Sequence, residues 1–181
     1  MKPFARRSFR HPLFVLVPDA FTREHEELAI RLPRIWFDRR RPLNILRMLT
    51  TRPRRASELD ETKLYEFVTR DCLHDLLQRR RLLHQTNIHG DLYGITRADA
   101  QRVLGEGYGL LVGTRQFCHN LSLMGLSVEP IHIVRSLKQA ADPRPPHVEP
   151  VFKVEQKPGA KGLTHALAQL HDLLARYYVP A

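Results

Sequence analysis

Five apolar residues in succession, Leu13-Phe14-Val15-Leu16-Val17, stand between Pro12 and Pro18-Asp19. A strand with one wet face alternates apolar and polar side chains, whereas an unbroken run of strand length reads as buried on both faces of a parallel sheet. Parallel neighbours need a crossover, and the next segment supplies a helix. Thr22 can cap it, Glu24, Glu26 and Glu27 fall in its first turn, and it runs through Leu28 and Ile30 to a stop near Pro33. The basic connector Arg39-Arg40-Arg41-Pro42 then leads to a second strand expected over residues 45–49. Strand, helix and strand in this order predict a βαβ unit and an α/β fold.

From residue 50 to about 93 the pattern changes to short segments, with a helix over 70–80 that carries Leu73, Leu76 and Leu77 on one side. A helix over 98–105, closed by Gly105 or Gly107, precedes a buried strand over 108–113. A short helix over 116–124 and a strand over 128–134 follow. Prolines at 143, 145, 146 and 150 then fix an extended path. A last strand over 151–154, a turn at Lys157-Pro158-Gly159 and a helix over 163–178 with Leu167, Leu170, Leu173 and Leu174 inward complete the pattern. There is no internal repeat.

At 181 residues the chain reads as one domain, able to bury roughly 70% of its unfolded surface without staples. Two cysteines, Cys72 and Cys118, fit neither a secreted disulfide scaffold nor a four-ligand metal site, which points to reduced thiols and a cytoplasmic location. No signal peptide is expected, since the charged start at Lys2, Arg6 and Arg7 lacks a following apolar core. No apolar run approaches the ~20 residues of a membrane span. His84 and His89, and His165 and His171, lack the i, i+4 spacing of helical zinc ligands, so no metal is expected. The net charge of +10 attracts phosphate-bearing partners, nucleic acid among them, although aromatics are not interleaved with the arginines as in single-strand binders.

One constellation carries specific chemistry. It comprises Thr50-Thr51-Arg52-Pro53-Arg54-Arg55-Ala56-Ser57-Glu58, then Tyr65-Glu66-Phe67-Val68, then His89-Gly90-Asp91-Leu92-Tyr93-Gly94. Arg52 and Arg55 each offer a planar fork of charged donors, and Tyr65 and Tyr93 each add a hydroxyl. Four such groups converging would hold a dianion. In order and spacing the stretch resembles the acceptor-binding part of the guanylate kinase family, including its ribose bisphosphate kinase branch, which Val112-Gly113-Thr114-Arg115 favours.

The resemblance implies a P-loop-kinase-like parallel sheet flanked by helices, with a core over 12–49 and 98–181 and a small acceptor-binding α+β subdomain over 50–97. It assigns the acceptor phosphate to Arg52, Arg55, Tyr65 and Tyr93, with Glu58, His84, Gly94, Thr114 and Arg115 in support and Gly94 keeping a turn. Base reading is expected to be lost: His84 stands where the family places a guanine-contacting glutamate, Ile95 and Met48 replace hydroxyl residues, and Val112 and Thr114 replace an acidic pair. Neutral histidine offers one acceptor where a glutamate offers two.

The family also carries G-x-x-x-x-G-K-[ST] after its first strand, where glycine backbones approach phosphate, lysine reaches the terminal phosphates and a hydroxyl holds magnesium. Here Val17-Pro18-Asp19-Ala20-Phe21-Thr22-Arg23-Glu24 occupies that place. Val17 and Thr22 replace both glycines, Arg23 the lysine and Glu24 the hydroxyl residue. The lid remnant, about 138–150, is short and proline-rich where active members carry arginines over ATP. These departures predict a noncatalytic module that binds a phosphopeptide, nucleotide or sugar phosphate, with no cofactor. A divergent monophosphate kinase using ATP and magnesium through Arg23 and Glu24, and a basic nucleic-acid-binding protein, are the alternatives.

Overall fold

The computed structural model describes residues 11–19, 23–36, 38–55, 64–134 and 152–178. Thr22, Glu58 and the stretch over 138–150 lie outside them.

The apolar run forms β1 (Leu13–Pro18), with all six residues buried. It pairs in parallel with β7 (Tyr108–Val112) on one side and β8 (Val128–Val134) on the other. The strand β2 (Leu43–Ile45) joins β7, and β9 (Phe152–Glu155) joins β8, both in parallel. The result is a five-stranded parallel sheet in the order β2-β7-β1-β8-β9. Flanking it are α1 (Arg23–Arg31), α3 (Arg97–Glu106), α4 (Arg115–Leu123) and α5 (Gly159–Tyr178). The crossovers from β1 to β2 and from β7 to β8 run in opposite directions, and right-handed connection places α1 and α4 on opposite faces.

A second, four-stranded sheet has the order β4-β3-β6-β5, built from β3 (Met48–Thr50), β4 (Tyr65–Phe67), β5 (Leu82–Ile88) and β6 (Asp91–Thr96). The single strand expected over 45–49 is therefore two strands in different sheets. Leu46 N–H still bonds the Leu110 carbonyl at 2.8 Å, continuing the edge of the first sheet, but Met48 N–H already bonds the Leu64 carbonyl at 2.9 Å. Buried Leu46 and exposed Arg47 form the crossing point. An apolar pattern cannot show that two consecutive halves serve different sheets.

Local chemistry explains the helix starts. Thr69 accepts the Cys72 amide at the head of α2 (Arg70–Gln78), Thr96 that of Asp99 in α3, and Thr114 that of Phe117 in α4. Gly107 closes α3. On α1 the buried residues His25, Leu28 and Ala29 precede buried Leu32, giving the i, i+3, i+4, i+7 face that packs on the sheet. The helix α5 begins at Gly159, four residues before the expected start at 163, and its Leu163, Ala166, Leu167, Leu170 and Leu174 enter the main core.

Candidate functional site

A cleft of about 430 Å³ opens outside the carboxyl ends of β1 and β7, against the second sheet. Open α/β sheets bind ligands at this end of their strands. Asp19, Gly113 and Thr114 contribute from the ends of the parallel strands, and Arg52, Arg55, Tyr65 and Tyr93 from the second sheet and its connections. The four residues expected to grip a phosphate thus line one cavity. Met48, Val112 and Phe117 give it an apolar lining.

The threonines before Arg52 set its position. Thr50, fully buried, accepts the Arg52 amide on its hydroxyl at 3.2 Å, a local turn that bends the chain out of β3. Thr51 pins the same corner to β6 by two bonds, its amide donating to the Leu92 carbonyl and its hydroxyl accepting the Leu92 amide, both at 3.0 Å. Arg52 itself is only 8% exposed. Its guanidinium carbon lies 4.9 Å from the centroids of both Tyr65 and Phe67, which share a face of β4 two residues apart, and Nη1 donates to the Pro53 carbonyl at 3.1 Å. Arg55, by contrast, is exposed and faces Glu26 of α1, with Nη1 3.6 Å from Oε1.

Tyr65 is buried and meets Tyr93 edge-on, ring centroids 6.3 Å apart. Burial pushes the Tyr65 phenol above its ordinary range; the Glu26 carboxylate adds to the rise and the Arg52 guanidinium opposes it. The phenol therefore stays protonated, a hydrogen-bond donor at neutral pH.

Of the supporting residues among the described ones, Thr114 lines the cleft and the others take other places. His84 is not among the residues lining the cleft: it packs on Phe117 at 5.0 Å and its Nε2 lies 3.3 Å from the Asn120 amide nitrogen. Burial lowers its pKa, so the neutral ring accepts that bond. Gly94 keeps no turn. It is a mid-strand residue of β6 opposite Leu49 and Gln85, where an added Cβ would meet nothing closer than 3.5 Å. The turn belongs to His89 and Gly90, both at positive φ, the two-residue hairpin geometry. Thr114 lines the cleft while capping α4; Arg115 turns to buried His132, Nη2 lying 3.0 Å from Nδ1. Glu58 lies outside the described residues.

Sequence reasoning missed Glu26 and Thr86, which also line the cleft. Thr86 carried a readable signal, because it pairs with Tyr93 across a hairpin whose turn the His89-Gly90 dipeptide marks. Glu26 carried none, since which helix side meets the second sheet depends on how α1 docks.

On the opposite side, Val17 lies within β1 and Pro18 has no amide proton. The Asp19 amide donates to the Ile133 carbonyl at 3.2 Å. Arg23 is exposed at the first position of α1, and Glu24 Oε1 accepts the Gly159 amide of α5 at 3.0 Å. Residues 20–22 lie outside the described set. Among the described residues, no group of three or more His, Cys, Asp or Glu side chains is placed to hold a metal ion.

No protein-family model matches the chain, and no curated protein sequence does. In three dimensions it is similar to guanylate kinase from Anaplasma phagocytophilum, with a TM-score of 0.64 at 17% identity over 96% of this chain and 89% of that one. Together with the five-stranded parallel sheet and its flanking helices, this similarity shows that the chain has a guanylate-kinase-like fold.

Proposed function

We propose that the chain binds a phosphorylated ligand in the cleft between its two sheets, through Arg52, Arg55, Tyr65 and Tyr93, and does not transfer phosphate. The observation that carries the reading is that Arg52, Arg55, Tyr65 and Tyr93 line one cavity. Guanidinium forks match phosphate oxygens in pairs, and phenol hydroxyls can donate to the same anion. The apolar lining from Met48 and Val112, with His84 turned to Asn120, supports loss of base reading. The ligand class is a phosphopeptide, nucleotide or sugar phosphate recognised through its phosphate.

Among the described residues, the donor side offers little to a magnesium triphosphate. A phosphate cradle needs backbone amides free to point at the anion. At positions 17–19 the chain offers a strand residue, a proline and an amide already bonded to Ile133. The carboxylate of Glu24, at the place of the magnesium-binding hydroxyl, serves α5 instead.

A thermal-shift series tests the two halves separately. A ligand that binds only the folded state at 100 times its Kd stabilises by about 2.7 kcal/mol. GMP, ribose 5-phosphate and a phosphoserine peptide are the probes for the clamp, and at least one is expected to raise the melting temperature. ATP with magnesium is expected to leave it unchanged; a rise with ATP, accompanied by its consumption, contradicts the noncatalytic reading.

A further inference from the structure

The wall opposite the clamp carries a carboxylate. Glu26 projects from α1 into the same cleft, its side chain 18% exposed, with Oε1 3.6 Å from Nη1 of Arg55. That separation is an ion pair, longer than the 2.7–2.9 Å of a charge-assisted hydrogen bond. The reach of the Glu26 charge extends to Tyr65, whose phenol it helps to hold protonated. Arg55, Tyr65 and Glu26 therefore surround the same small volume. Asp19 adds a second carboxylate to the lining, so the described lining sets two carboxylates against two guanidiniums.

A phosphate dianion lodged at the clamp sits beside Glu26, and like charges at that range disfavour one another. A carboxylate in its ordinary state is acceptor-only and has capacity for several donors. The arrangement is poorly suited to a simple monoester, whose only charge is its phosphate. It suits a ligand that brings a cationic donor within a few bonds of the phosphorus, so that phosphate meets the guanidiniums while the donor meets Glu26.

We infer that Glu26 is a specificity-determining residue and that the cleft selects zwitterionic phosphate monoesters, those with an ammonium close to the phosphate, over monoesters without one. The inference rests on the phosphate-binding reading above and narrows it. Glu26 is attached to α1 while the clamp belongs to the second sheet and its connections, so a ligand bridging them contacts both layers.

Isothermal titration at fixed ionic strength tests it with two probes that differ in the ammonium: O-phosphoethanolamine and propyl phosphate. The wild-type chain is expected to bind the first on the order of tenfold more tightly, the scale of one charge-assisted hydrogen bond. In Glu26→Gln that preference falls to within about twofold, because the zwitterion loses its partner and propyl phosphate escapes the repulsion. Glu26→Ala gives the same loss of preference and serves if the glutamine disturbs α1. Equal wild-type affinities for the two probes, with both strengthened alike in Glu26→Gln, overturn the selectivity and leave the clamp standing. Binding of neither probe, or binding that Arg52→Ala leaves untouched, overturns the clamp and the selectivity together.

Discussion

The guanidinium of Arg52 lies over the ring of Tyr65, 4.9 Å from its centroid, in a site where the arginine is nearly enclosed. A flat, delocalised cation stacks on such a ring, and a lysine ammonium cannot reproduce the stack over Tyr65 and Phe67 together. Arg52→Lys is therefore expected to lower stability by about 1 kcal/mol despite keeping the charge. Urea denaturation checks this; a midpoint equal to wild type would show that the stacking contributes nothing.

The protonated state of Tyr65 is a second measurable consequence. Its folded-state pKa is raised, so its contribution to stability is fully present below the ordinary phenol value of about 10 and is lost as pH climbs through the folded value. Ultraviolet difference absorbance across an alkaline titration is expected to show a late-ionising tyrosine that disappears in Tyr65→Phe. A loss of amplitude near pH 10 instead, with the late component undiminished, would place the Tyr65 phenol in water.

His84 has the opposite sign. Burial depresses its folded pKa below the unfolded value near 6.5, so its contribution is present above that value and is lost as pH falls below it. The wild-type melting temperature is expected to fall more steeply between pH 7 and pH 5 than that of His84→Phe, which keeps an aromatic ring against Phe117. Parallel curves would mean that His84 protonates without cost.

Gly107 is required by space. Its φ of −179° is extended backbone open to any residue, but an added Cβ would stand 2.3 Å from the Pro42 carbonyl oxygen. That carbonyl accepts the Tyr108 amide at 2.9 Å where β2 meets β7. Gly107→Ala is expected to cost roughly 1–3 kcal/mol by forcing this edge apart. Chemical denaturation measures it, and a loss below 0.5 kcal/mol would show the edge to be pliable.

Much of this architecture was legible in the residues. The uninterrupted run from Leu13 to Val17 became the central strand of a parallel sheet, because side chains apolar on both sides of a strand have to be covered on both. The arginine and tyrosine constellation met in one cleft. What stayed hidden was set by packing between elements far apart in sequence. Leu46 and Arg47 look like strand interior, yet the chain changes sheets there. Gly94 looks like a turn residue and is strand, while the neighbouring His89 and Gly90 make the turn. Glu26 looks like an ordinary first-turn carboxylate that favours the positive end of a helix, and only the docking of α1 turns it toward Arg55.

The central claim is that the paired guanidiniums hold the ligand's phosphate, and titration calorimetry of the double variant Arg52→Ala, Arg55→Ala tests it most directly. The probe is whichever of GMP, ribose 5-phosphate, the phosphoserine peptide or O-phosphoethanolamine binds the wild-type chain most tightly. Each lost charged hydrogen bond is expected to cost about 1.5–3 kcal/mol, so the pair together weaken binding by at least about a hundredfold. An affinity unchanged in the double variant, with the fold intact, would contradict the account.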